Sequence, residues 1–98
     1  MLLIRDIMYC KPGQVKPMVE KFKTLSKAMK KMGFTGMRVL TDVSAERYWT
    51  VVAETEVKSL DIYAGMDKKL MQDKTVQKAM KGYHTLIDKG RREIYMIE

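Results

Sequence analysis

Ninety-eight residues, 46% of them apolar, leave room for a single domain spanning 1–98 and exclude a second core. The net charge of +7 comes mostly from lysines spread along predicted helices, Lys16, Lys23, Lys27, Lys68 and Lys78 among them. They read as a solvated face, so no nucleic-acid partner is expected. No stretch approaches membrane-spanning length, strand-like sequence rather than a secretory signal follows Met1, and the one cysteine, Cys10, allows no intrachain disulfide. A cytoplasmic protein without membrane contact is expected.

Leu2 to Cys10 predicts a first strand, apolar on both parities but interrupted by Arg5 on one and Asp6 on the other. Lys11-Pro12-Gly13 then breaks the extended run. From Gln14 to Met32, Val15, Met18, Val19, Phe22, Leu25, Met29 and Met32 recur at the spacing of one helical face. Pro17 lies in the first turn, and Gly33 stands where a left-handed C-terminal residue belongs.

Thr35 to Thr41 predicts a second strand, and Asp42-Val43-Ser44-Ala45 a short polar turn. Glu46 to Thr55 contains the single tryptophan, Trp49, and no Gly or Pro. It reads as a third strand buried on both faces and antiparallel to the second. Ser59 is placed to cap a helix using Leu60, Tyr63, Ala64, Leu70 and Met71. Gln72-Asp73 interrupts it, and Asp73 can cap a further helix with the stripe Val76, Met80, Tyr83 and Ile87, ended by Gly90. Arg91 to Ile97 is the last strand, with Ile94 and Met96 alternating against Tyr95 and Ile97.

The order β-α-β-β-α-β predicts a ferredoxin-like α+β fold, a four-stranded antiparallel sheet of order 4-1-3-2 with both helical regions on one face. Its other face is then open, with Tyr, Trp, Met, Val and Ile among its expected occupants. Unpartnered apolar faces of that size mark interfaces, and a second copy of the chain is the expected cover. The homodimer follows from that.

Several functions share this topology, and their motifs are absent. The third strand, R-Y-W-T-V-V-A-E, lacks the glycine and alternating aromatics with which RNA-recognition domains stack bases. One cysteine excludes the paired thiolates of a soft-metal loop, and there is no P-loop or G-x-G-x-x-G element. His84 has no Asp or Cys at ligand spacing, so neither a metal nor a cofactor is expected.

Lys11-Pro12-Gly13 after the first strand, the amphipathic helix with Phe22, Trp49 on the third strand and the ending G-R-R-E-I-Y-M-I (Gly90 to Ile97) resemble the dimeric α+β barrel superfamily. Its antibiotic-biosynthesis-monooxygenase-like and NIPSNAP-like members are the nearest in pattern. The resemblance implies two sheets paired face to face in a closed barrel. It also implies activities such as cofactor-independent oxidation of aromatic polyketides and quinols, haem degradation or isomerisation. In the haem-degrading branch an Asn, a Trp and a His surround the substrate. Trp49 matches the Trp by element and His84 the His more loosely, while this sequence contains no asparagine.

The resulting expectation is a homodimer that binds or oxidises a small hydrophobic or aromatic compound without a cofactor. The alternative is a non-catalytic ligand-binding or interaction dimer. In the first reading the pocket lies between helices and sheet. Trp49 and Tyr63 would be its aromatic walls, and Met29 and Met80 its adjustable packing. His84 would exchange the proton, and Arg38 would hold an oxyanion if it points inward. Trp49, His84 and Arg38 form the candidate catalytic set. Each also has a purely structural role open to it: core filling for Trp49, a hydrogen-bonded shoulder for His84, cross-strand pairing for Arg38. Arg5 and Asp6, caught with Arg38 within the sheet layers, likewise either pair across strands or orient a ligand. An enzyme should show a polar pair converging on the pocket; a binding module should show an apolar pocket without one.

Overall fold

The computed structural model describes residues 1–98. In chain order it contains strand β1 (Leu2–Cys10), helix α1 (Val15–Lys31), strands β2 (Arg38–Thr41) and β3 (Thr50–Val57), and helices α2 (Leu60–Gln72) and α3 (Lys74–Met80). A 3-10 turn over Tyr83–Thr85 and strand β4 (Ile87–Met96) complete it. The strands form one antiparallel sheet ordered β2-β3-β1-β4, which is 4-1-3-2 read from the other edge. The expected ferredoxin-like α+β architecture is present. No helix is long and apolar enough to cross a membrane.

Alternation along β1 divides the molecule. Ile4 and Cys10 point at the helices, where Met18, Phe22 and Met29 of α1 bury against Val51, Ala53 and Val57 of β3. Ser26 is the polar exception on that helix face. Its Oγ accepts from the Met37 N–H (2.9 Å) and donates to the Met37 carbonyl (3.2 Å), tying α1 to the approach of β2. Both expected caps form: the Ile62 N–H donates to Ser59 Oγ (3.2 Å), and the Val76 N–H to Asp73 Oδ1 (3.0 Å). The second cap is why the helical region splits into α2 and α3.

Three boundaries differ from the sequence expectation, each for a local reason. Glu46–Trp49 is loop, not strand. Asp42 Oδ1 accepts from the Thr50 N–H (2.9 Å) and Thr50 Oγ1 donates to the Arg47 carbonyl (2.7 Å), closing a wide loop in place of a tight hairpin. Trp49 adopts φ 65°, the left-handed region, so β3 opens only at Thr50 and runs on to Val57. Strand β2 begins at Arg38 rather than Thr35, because Ser26 holds the Met37 backbone just before it. Helix α3 ends at Met80, since Gly82 at φ 77° turns the chain left-handed and Ile87 joins the sheet. Gly90 therefore ends no helix. It lies within β4 opposite Met8, where an added Cβ would stand 3.2 Å from Met8 Sδ.

The face away from the helices carries more charge than the expected apolar occupants suggest. Across its middle runs Glu54, whose side chain is only 7% exposed and accepts from both Arg5 (2.9 Å to Nε) and Arg38. Glu93 pairs with Arg91 (3.0 Å) beside them. Ile7, Tyr9 and Val52 flank this row, and the 42–49 loop covers one end, with Arg47 stacked 4.3 Å from the Tyr9 ring centre. Trp49 is absent from this face and leans on the start of α1.

Trp49 is 44% exposed, so Trp49→Ala should cost about 1 kcal/mol rather than the several lost from a filled core position. Trp49→Gly should be more stable than Trp49→Ala by about 0.5–1 kcal/mol, because relief of the left-handed strain outweighs the added unfolded-state entropy. Urea unfolding followed by far-UV circular dichroism checks both.

The guanidinium of Arg38 first, and then that of Arg5, hold the Glu54 carboxyl below its ordinary value against the opposing effect of burial. A depressed carboxylate adds stability above its unfolded pKa and loses it as pH falls through its folded pKa. The stability gap between the native chain and Glu54→Gln should therefore narrow between about pH 7 and about pH 3, read from urea midpoints.

Candidate functional site

Asp6 of β1 and Arg92 of β4 stand directly opposite each other in the sheet, with their side chains on the helix-facing side. Arg92 Nε donates to Asp6 Oδ1 at 2.6 Å, and Nη2 lies 3.5 Å from Oδ2. Tyr63 of α2 flanks the pair, its ring centre 5.3 Å from the guanidinium carbon. Neighbouring strands impose this juxtaposition, and the residues belong to the two elements farthest apart in the chain. Only the folded sheet brings them together.

The pair forms part of the floor of a cavity of about 180 Å³ between the sheet and the three helices. Phe22, Leu25, Leu70 and Val76 supply apolar walls. Six of the ten methionines also face it: Met8, Met29, Met37, Met66, Met71 and Met80. Their unbranched, polarisable side chains make a wall that adjusts to what it holds. Thr55 of β3 also lines it, but its hydroxyl oxygen is closed off from the cavity space. That oxygen is fully buried and has no protein hydrogen-bond partner.

The electrostatics follow from this packing. The hydrogen bond to Asp6 raises the Arg92 guanidinium further above its ordinary value, so it stays charged. Burial pushes the Tyr63 phenol up despite the opposing field of Arg92. Arg92 is committed to Asp6 through Nε and Nη2 and keeps Nη1 for a further acceptor. One side of the cavity thus offers a donor and a basic oxygen side by side, with the Arg92 side chain half exposed to solvent. That combination can hold an oxygen substituent and move its proton. Cys10 contributes no thiolate, since burial first, and then Asp42 and Asp88, push its thiol up. No three His, Cys, Asp or Glu side chains converge as a metal site.

Of the residues singled out from sequence, Tyr63, Met29 and Met80 line this cavity. Trp49, His84 and Arg38 are not brought together. Trp49 lies over the N-terminal end of α1 beside Val15 and Val19. His84 is exposed on the 3-10 turn, edge-on to Tyr83 with ring centres 5.9 Å apart. Arg38 sits on the opposite face of the sheet, bound to Glu54. The two strand parities point to different faces, and Arg38 shares the parity of Leu40 rather than that of Val39. The residues that sequence reasoning left out of the site are Arg92 and Thr55; Asp6 was weighed between cross-strand pairing and orienting a ligand, without its partner being identified. Their signal was parity. Arg92 falls in step with Ile94 and Met96, and Asp6 with Ile4 and Met8, on strands that pair.

No protein-family model matches the sequence, and no curated protein matches it significantly. Solved structures do match in fold. A NIPSNAP family protein from Agrobacterium tumefaciens superposes with a TM-score of 0.82 at 15% identity, covering 99% of this chain and 85% of that one. A NIPSNAP domain protein from Burkholderia xenovorans gives 0.81 at 13% identity, over 100% of this chain and 95% of the other. An antibiotic biosynthesis monooxygenase gives 0.74 at 9% identity, over 100% and 99%. At such identities the likeness speaks for the fold alone. The chain therefore has the fold shared by NIPSNAP family proteins and antibiotic biosynthesis monooxygenases, the group its sequence resembles.

Proposed function

We propose that the chain acts as a homodimer in which each protomer takes a small hydrophobic or aromatic compound between helices and sheet. We infer further that it oxidises this compound with dioxygen, without a resident cofactor. The observation that carries the reading is the Asp6–Arg92 pair, a proton acceptor and a cation side by side in the lining of a mostly apolar cavity. Asp6 would take the proton of a phenol, and Arg92 would stabilise the oxyanion so formed. The electron-rich anion then reduces dioxygen directly. For hydroquinone the balance is one dioxygen consumed, hydroxybenzoquinone formed and one water released. Four electrons leave the ring and reduce both oxygen atoms, so no external reductant is required.

Oxygen-electrode assays with hydroquinone test this. Asp6→Asn keeps the shape and a hydrogen bond to Arg92 but removes the base, and should lower uptake about 100-fold or more with the fold unchanged. Unchanged uptake would sink the catalytic reading. One observation favours a second reading, a ligand-binding dimer without turnover: Asp6 and Arg92 already satisfy each other. Binding of hydroquinone without oxygen uptake would identify it.

Assembly rests on the open sheet face. Its apolar Ile7, Val52 and Leu40 surround acidic Glu54 and Glu93 and basic Arg5, Arg38 and Arg91, charges of both signs that let one surface meet its own copy about a two-fold axis. Sedimentation at micromolar concentration should show a dimer burying more than about 1,200 Å² in total. A folded monomer under those conditions would overturn the assembly.

A further inference from the structure

The net charge of +7 is not spread evenly over the molecule. The three helices carry ten lysines against three carboxylates, Glu20, Asp61 and Asp67, while the rest of the chain carries nine bases and nine acids. The whole excess therefore lies on the helix layer. The salt bridges are all made by strand arginines, Arg5, Arg38, Arg91 and Arg92, and Arg47 stacks on Tyr9. No lysine forms one. Only Lys21 is tied to the backbone, by the Ala79 (2.7 Å) and Lys81 (3.0 Å) carbonyls that follow α3.

Helix α1 concentrates this charge. Lys16, Lys23, Lys27 and Lys30 are exposed and recur at seven-, four- and three-residue spacing, a single stripe that only Glu20 interrupts. At its N-terminal end the stripe meets aromatic surface. Lys16, Glu20 and Lys23 share a groove with Val15, Val19 and Trp49, and Tyr48 lines the adjoining hollow. Trp49 is 44% exposed and Tyr48 84%.

We propose that this face docks on a bilayer rich in anionic phospholipid, with the α1 lysines among the head groups and Trp49 and Tyr48 seated at the interface. Amphipathic aromatic rings settle at head-group depth, and lysines lay their stems on apolar surface while the ammonium stays with phosphate. Shape agrees. The two-layer molecule is a slab of 35 × 34 × 17 Å, and the helix layer is one of its broad faces. The sheet is the other, so docking leaves free the surface proposed to meet a second copy. Such docking needs no spanning helix, and none is present. Nucleic acid fits less well, because its phosphates and base edges are read by the planar forks of arginine, and here every arginine is engaged elsewhere. Lysines, as undirected point charges, suit a diffuse anionic surface.

Flotation of the full chain with lipid vesicles tests the proposal. The chain should float with phosphatidylcholine vesicles containing about one-third phosphatidylserine, and not with phosphatidylcholine alone. Salt at about 1 M should release it, since screening then acts within about 3 Å. Replacing three stripe lysines together (Lys16→Gln, Lys23→Gln, Lys27→Gln) should lower the partition coefficient about 100-fold. Removing the same charge outside the helices (Lys58→Gln, Lys81→Gln, Lys89→Gln) should lower it less than about threefold, because attraction fades within a Debye length of the surface. Trp49→Ala should weaken partitioning about fivefold, the scale of half-burying a large apolar side chain. Far-UV circular dichroism checks that each variant keeps the fold. Equal losses in the two lysine triples would reduce the effect to net charge and overturn the α1 face. Full partitioning of Trp49→Ala would overturn the anchoring role of that residue. Failure of the folded native chain to float overturns the docking itself, as does tighter binding, per phosphate, of duplex RNA or DNA at the same salt.

Discussion

Strand β1 is held between β3 and β4 and sends alternate side chains to two surfaces, and the rest of the molecule depends on that register. Asp6 meets Arg92 beneath the helices, while its neighbour Arg5 meets Glu54 on the far face. A slip of one residue would exchange these assignments. It would carry Arg5 into the cavity floor and leave Ile4 and Cys10 outside the core. Charges on a strand packed on one side and proposed to be covered on the other thus act as register keys. Each is satisfied only when its partner strand is aligned as observed.

Much of this was legible in the residues. Helix α1 declares itself by an unbroken stripe, and the Ser59 and Asp73 caps by side chains that satisfy free N–H groups at helix starts. Glu46 to Trp49 misled because its side chains favour strand, whereas the outcome was decided by Asp42 and Thr50 bonding across the loop, a pairing invisible to propensity. Gly90 misled because a glycine after a helical stripe reads as a stop, yet here its bareness makes space for Met8.

Within the site, Tyr63, Met29 and Met80 were legible because positions on a buried stripe line whatever void the stripe leaves. The Asp6–Arg92 pair was half visible. Charges that interrupt apolar parities could be seen, but which ones meet depends on a register that one sequence leaves open. Thr55 gave no signal, since threonine is an ordinary strand residue until its hydroxyl is found without a partner. Aromatic and titratable character pointed to Trp49 and His84, yet Trp49 lies in the loop just before β3 and His84 on an exposed 3-10 turn.

The placement of Trp49 has a practical consequence. It is the single tryptophan, half in solvent, on a loop held to the sheet edge by a few hydrogen bonds. Its emission reports the opening of that loop and the polarity at the start of α1, not the fate of the packed interior around Phe22. Fluorescence and circular dichroism can then yield different midpoints on one sample. Such a mismatch would reflect where the chromophore sits rather than a folding intermediate.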